Sequence, residues 1–165
     1  MPTTSSGIAF VATATLTRPA DTTAYASGDI IANSTIAGSV VALQFLTATP
    51  IGGIGRIDAV NIRKSGTSTT NANFRVHFYT ISPTIASGDN TAFSTSGLTT
   101  YIGAMDVAVD RAFTDGACGR GTPTTISPIL LTTNNTTLFG LIEVRGAYTP
   151  ASAETFELIL EGYKF

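Results

Sequence analysis

Charge is scarce in this chain: Asp, Glu, Lys and Arg make up 12% of it, against about 25% in an ordinary soluble domain. Tryptophan is absent, and histidine and cysteine occur once each, as His77 and Cys118. Each shortage excludes something. A single cysteine rules out an internal disulfide framework. A single histidine leaves one candidate base for Ser- or Cys-type nucleophilic catalysis. The lack of tryptophan removes the strongest stacking surface for sugars. The seven Arg and two Lys never form a run, and the net charge is −2, which argues against a nucleic-acid surface. No apolar stretch approaches the roughly 18 residues of a membrane helix. Met-Pro-Thr-Thr-Ser-Ser-Gly at the start has neither a positive region nor an apolar core, so the expectation is a protein made in the cytoplasm and not exported by a recognisable signal.

What fills the space is Thr, Ser, Gly, Asn and Ala. Thr suits pleated, half-buried surfaces, and Gly, Asn, Ser and Pro suit turns. At 165 residues one domain is expected. A chain near 150 residues buries roughly 68–70% of its unfolded surface, enough for a core without metal or disulfide.

Period-two patterning recurs, and helical periodicity is nearly absent. Ile8, Phe10, Ala12, Ala14 and Leu16 alternate with Ala9, Val11, Thr13 and Thr15, and Pro19 stops the run. Further strands are expected at Ile30 to Asn33, Ser39 to Thr49, Ile54 to Lys64, Phe74 to Tyr79, Tyr101 to Val109, Ile126 to Thr132, Thr137 to Arg145 and Thr155 to Phe165. The polar stretch from Lys64 to Asn73 reads as a long hairpin connection. Asp89 reads as the N-cap of one short helical turn at 90–93. About eight or nine short strands without intervening amphipathic helices predict an all-β, single-domain β-sandwich, jelly-roll-like in form. Residues 1–7 read as a flexible N-terminal arm and 8–165 as the sandwich.

Candidate chemistry is thin. His77 shares a strand face with Arg75 and Tyr79 and reads as a surface or interface histidine; no GxSxG elbow accompanies it. Glu157 and Glu161 share a strand face about 13 Å apart, too far for either glycosidase geometry. Glu143 could approach Glu157, but Arg145 or Lys164 is its expected partner. Asp89, Asn90, Asp106, Asp110 and Asp115 lack calcium-loop spacing and read as turn-capping or solvated groups. Cys118, in Asp-Gly-Ala-Cys-Gly-Arg-Gly, reads as a small buried thiol. No catalytic residue, metal or cofactor is expected, and no enzymatic activity.

Several segments, taken in order, carry a resemblance. The most specific is Arg18-Pro19-Ala20-Asp21-Thr22-Thr23-Ala24-Tyr25-Ala26-Ser27-Gly28-Asp29. It is followed by Gly52-Gly53-Ile54-Gly55-Arg56-Ile57, Phe74-Arg75-Val76-His77-Phe78-Tyr79, Asp89-Asn90-Thr91-Ala92-Phe93 and Leu141-Ile142-Glu143-Val144-Arg145-Gly146-Ala147-Tyr148-Thr149-Pro150. The series resembles small virion proteins of tailed bacteriophages, of the head decoration or cement kind, from about residue 18 to 160. That resemblance implies a jelly-roll-like body, commonly a homotrimer, which binds the major capsid protein on the outer capsid surface and stabilises the head. It brings no set of functional residues with it.

Low charge agrees with such a role, because burying an uncharged surface costs little desolvation, and hydroxyl and amide groups serve wet interfaces. A polar arm able to order against a neighbour makes Pro2, Thr3, Thr4, Ser5 and Ser6 the candidate capsid-interaction residues. No nucleic-acid or membrane partner is expected. The alternative is a tail-spike or tail-fibre receptor- or glycan-binding module, whose aromatic-lined patch would draw on Tyr25, Tyr79, Tyr101 and Tyr148.

Overall fold

The structure, a computed structural model, describes residues 7–47, 55–123, 129–131 and 136–165. The candidate arm residues Pro2 to Ser6 lie outside the described residues. The chain forms strands β1 (Ile8–Thr17), β2 (Ile30–Ile31), β3 (Leu43–Leu46), β4 (Gly55–Lys64), β5 (Asn73–Tyr79), β6 (Thr84–Ile85) and β7 (Thr95–Ser96). A 3-10 turn at Leu98–Thr100 leads into β8 (Tyr101–Ala108), β9 (Arg111–Phe113), β10 (Gly116–Pro123), β11 (Ile129–Leu131), β12 (Thr137–Val144) and β13 (Thr155–Lys164).

One antiparallel sheet runs β1-β13-β4-β10-β8-β5-β12-β2, with β3, β9 and β11 paired alongside, and β6–β7 form a separate ribbon. The sheet curls so that its two halves face each other across the core, giving the single-domain β-sandwich that the alternation predicted. Phe10, Ala12, Ala14 and Leu16 of β1, Ile57, Val60 and Ile62 of β4, and Phe156, Leu158 and Leu160 of β13 supply one inner face. Phe74, Val76 and Phe78 of β5, Met105 and Val107 of β8, and Leu138, Ile142 and Val144 of β12 supply the other. Phe74 meets Phe156 edge-on at 5.6 Å, joining the halves at the centre.

β10 makes the turn from one half to the other. It pairs with β4 through Ala117–Gly121 and then with β8 at Thr122–Pro123. Its glycines explain how it fits: a Cβ on Gly119 or Gly121 would run into the carbonyls of Ala108 and Asp106.

Two local expectations give way. The 64–73 stretch is not a hairpin connection, because β13 and β10 already occupy both edges of β4. The chain instead crosses to the opposite layer, where β5 pairs with β8 and β12. Nor does Asp89 cap a helical turn. Its carboxylate is drawn into the interior by Arg18, Asn90 turns through φ 58°, and Ala92 bridges Asp29 instead.

A second, smaller apolar cluster lies outside the β5–β12 layer. Ile85 packs there with Ile30, Ala32, Ala42, Tyr79 and Leu141, and Phe93 leans against it. The 80–97 excursion therefore covers part of a sheet face that would otherwise meet water.

Candidate functional site

The polar interior is the first place to look for chemistry. Arg18 follows the last residue of β1, and its side chain turns inward with no exposure. Its Nε donates to the Tyr25 hydroxyl at 2.8 Å, and Nη2 pairs with Asp89 at 3.1 Å and Asp21 at 3.0 Å. Asp89 also accepts from the Tyr25 hydroxyl and from the backbone N–H of Ala32, each at 2.7 Å. Burial pushes the Asp89 carboxyl above its ordinary value, against the pull of these donors and of Arg18. A second buried pair joins Lys64 of β4 to Glu154 at 3.0 Å, with Lys64 also donating to the Gly66 carbonyl at 2.7 Å and Tyr148 donating to Glu154. Tyr25 and Tyr148 stack at 6.4 Å, so the two ionic groups adjoin. Each fully buried charged group here, Arg18, Asp89, Lys64 and Glu154, is turned toward a protein partner. The arrangement fastens loops to strands, and it offers no face to a ligand.

The outer face of the β8–β5–β12 layer carries a second row. Arg75 grips Asp106 through two bonds of 2.6 and 2.8 Å, which hold the Asp106 carboxyl below its ordinary value. Next to it, His77 Nε2 lies 2.8 Å from Glu143, whose other oxygen accepts from Arg145 at 2.8 Å. Arg145 is thus one of the two partners expected for Glu143, and Glu157 lies in the other layer beside Arg63. The His77 ring stacks under Phe93 at 4.6 Å. That burial lowers the His77 pKa despite the neighbouring carboxylate. His77 is consequently half-buried under a loop and not an open surface histidine. Among the described residues no Ser, Thr or Cys bonds to it.

Beside His77 lies a cleft of about 250 Å³ lined by His77, Tyr79, Thr95, Gly97, Leu98 and Tyr101. Tyr79 and Tyr101 are 5.5 Å apart, and burial pushes the Tyr79 hydroxyl up to about 12. Two of the four tyrosines considered for an aromatic patch thus meet here. Tyr25 and Tyr148 do not: both are core residues, claimed by Asp89 and Glu154.

The five Asp and Asn candidates for a cation are scattered. Asp89 and Asn90 belong to the interior loop, Asp106 to the Arg75 pair, and Asp110 and Asp115 to the β9–β10 hairpin. Among the described residues no cluster of three or more ligands forms. Cys118 is half-buried, contrary to the buried thiol expected. It sits opposite Arg63 in the β10–β4 register, facing outward beside Arg120 and Arg111 along a cleft of about 570 Å³.

Sequence reasoning missed the Arg18–Tyr25–Asp89 group. Its signal was present: an arginine beside a proline-broken strand end, in a chain with few charges, has to find carboxylates. No helix is long and apolar enough to cross a membrane among the described residues.

No family model and no curated protein matches the chain. Among solved structures, a protein of unknown function from Shewanella oneidensis MR-1 is 14% identical. The alignment covers 99% of this chain and 90% of that one, with a TM-score of 0.28. At that score the likeness carries no argument about role.

Proposed function

We propose that this protein is a bacteriophage head decoration, or cement, protein that binds the outer capsid surface and stabilises the head. The observation that carries this reading is how the molecule disposes of its charge. Ionic groups pair with one another inside the body or over the sheet surface, as in Arg56–Asp58 along β4, Arg63–Glu157 between β4 and β13, and Arg120–Glu161, which reaches over β4 from β10 to β13. Wide stretches of surface are left to hydroxyls and aliphatics, such as the outward row Ala9, Val11, Thr13, Thr15 and Thr17 of β1. Such a surface can be covered by a partner over a large area at low desolvation cost. The resemblance carried by the Arg18 to Asp29 and Leu141 to Pro150 segments supports the same reading. On it, the partner is the major capsid protein, the place is the virion exterior, the assembly is a homotrimer, and the role is structural and not catalytic.

Cosedimentation of the purified protein with phage capsids stripped of accessory proteins tests this. Saturable binding at a fixed ratio per capsomer, with a gain in capsid heat resistance, is expected; absence of binding overturns the reading. Deleting residues 2–7, which removes Pro2, Thr3, Thr4, Ser5 and Ser6, is expected to weaken attachment without unfolding the body. Unchanged attachment would remove the arm from the contact.

A second reading, a receptor- or glycan-binding module, is favoured by one observation, the Tyr79–Tyr101 cleft. A glycan array returning specific, saturable binding would place that reading first.

A further inference from the structure

We propose that the β9–β10 hairpin, taken from Asp110 at its root to Cys118 with its Thr114-Asp115 turn, is the knob by which the protein seats on the capsid, against an apolar pocket with a cationic rim. This deepens the capsid reading and rests on it. Three observations converge on the hairpin. First, four charged side chains, Asp29, Asp110, Arg111 and Asp115, enter no ion pair among the described residues. Asp29 accepts from the Ala26 N–H. The remaining three, Asp110, Arg111 and Asp115, all belong to this one hairpin. A fold that pairs its charge elsewhere leaves it unpaired here.

Second, the same hairpin exposes an aromatic ring. All three β9 residues face solvent, and Phe113 is 54% exposed, next to the turn. A lone exposed apolar residue needs no explanation. An exposed Phe beside an unpaired Arg and two unpaired carboxylates has the composition of an interface centre with its rim.

Third, the knob is rigidly rooted and open on both sides. Phe113–Gly116, Ala112–Ala117 and Arg111–Cys118 are paired in register, and Ala117 and Cys118 are paired again to Lys64 and Arg63 of β4. A Cβ on Gly116 would strike the Lys64 carbonyl, so the root sits directly on the strand below. Clefts of about 570 and 430 Å³ flank the hairpin, one bordered by Arg63, Asp110, Arg111 and Arg120, the other by Arg63, Lys64, Phe113 and Asp115. A preorganised hairpin loses little entropy on docking. The exposed Arg63 and Arg120 beside the hairpin are matched by Glu157 and Glu161, so its two unpaired carboxylates against one unpaired guanidinium leave the knob anionic, which is why the partner's rim is assigned as cationic.

The test uses stripped phage capsids as the probe and compares wild type with Phe113→Ser, with the double variant Asp110→Asn/Asp115→Asn, and with Ile36→Ser, a control 66% exposed elsewhere. Phe113→Ser is expected to weaken binding by about tenfold or more. The double variant should weaken it several-fold and flatten its dependence on salt. Ile36→Ser should bind like wild type, and all three should keep the wild-type circular dichroism. Wild-type binding by both hairpin variants overturns the inference and leaves the capsid reading standing. No binding by the wild type overturns both. If Phe113→Ser binds capsids normally but changes the oligomeric mass of the free protein, the hairpin joins copies of this chain, and the inference is overturned.

Discussion

The Arg18 guanidinium and the Asp89 carboxylate meet at 3.1 Å with neither side chain open to solvent, across 71 positions of the chain. Between them they tie the end of β1, the 19–29 loop and the 86–94 loop to one point. A buried pair of this kind is weak evidence for net stability, since desolvation offsets much of its attraction. Removing one member is another matter, because the other is left buried and unpaired.

Arg18→Met is therefore expected to destabilise the fold by about 3–5 kcal/mol. The double variant Arg18→Met/Asp89→Leu should recover much of that loss. Tyr25→Phe, which strands one bond on each partner, should cost about 1–3 kcal/mol. Urea denaturation of the four proteins decides it. A double variant no more stable than Arg18→Met would show that the pair contributes more than its packing volume.

The second buried pair depends on a missing side chain. A Cβ at Gly66 would overlap the Glu154 carboxylate that holds Lys64 and Tyr148. Gly66→Ala should cost about 1–3 kcal/mol, the usual range for overpacking, with the upper end expected because Lys64 loses its partner. A loss under about 0.5 kcal/mol in the same assay would mean that Glu154 swings aside freely.

Acid should act in two stages. Burial holds the folded-state pKa of His77 below its ordinary 6.5. Above 6.5 the ring is neutral in both states; below it the unfolded chain takes the proton first, so stability falls until the pH passes the folded value. Asp21, held low by the Thr23 N–H and Arg18, Asp106, held low by Arg75, and Glu161, held low by Arg120, act further down. Their contribution is complete above the ordinary 3.8 and 4.5 and is lost as the pH falls through their folded values. Asp89 runs the other way, since its raised carboxyl gains stability on protonation. Tm measured against pH should show a decline starting below 6.5 in wild type and absent in His77→Gln. A decline identical in both would locate that titration elsewhere.

The strands were legible in the sequence wherever one face was buried. Phe10 to Leu16, Phe74 to Tyr79 and Thr155 to Lys164 alternate as written, because their inner residues fill one core and their outer ones meet water or a cross-strand partner, whereas Ile8, expected on the inner face, lies 72% exposed at the start of β1. The layer change between β4 and β5 was not legible, since which strands flank β4 is decided by β13 and β10, more than fifty residues downstream. Asp89 misled for a similar reason: a local cap and a distant guanidinium compete for one carboxylate, and only the fold shows which wins. The hairpin charges looked like any other Asp and Arg until most of the others were seen to be paired.

The two open features of the surface can be separated, because they lie at opposite ends of β8. Tyr101 begins that strand and Ala108 ends it, about 23 Å away at roughly 3.3 Å per residue, and the Asp110 to Cys118 hairpin follows. Tyr101 is 38% exposed, so Tyr101→Ala leaves the main core intact while opening the wall of the Tyr79 cleft. If capsid attachment runs through the hairpin end, Tyr101→Ala should cosediment with stripped capsids within about twofold of wild type, well under the tenfold step of a contact residue. Loss of attachment in Tyr101→Ala with retention in Phe113→Ser would move the docking face to the aromatic cleft. Intact attachment joined to loss of an array-detected glycan would give the cleft a separate ligand, facing away from the shell while the hairpin faces it.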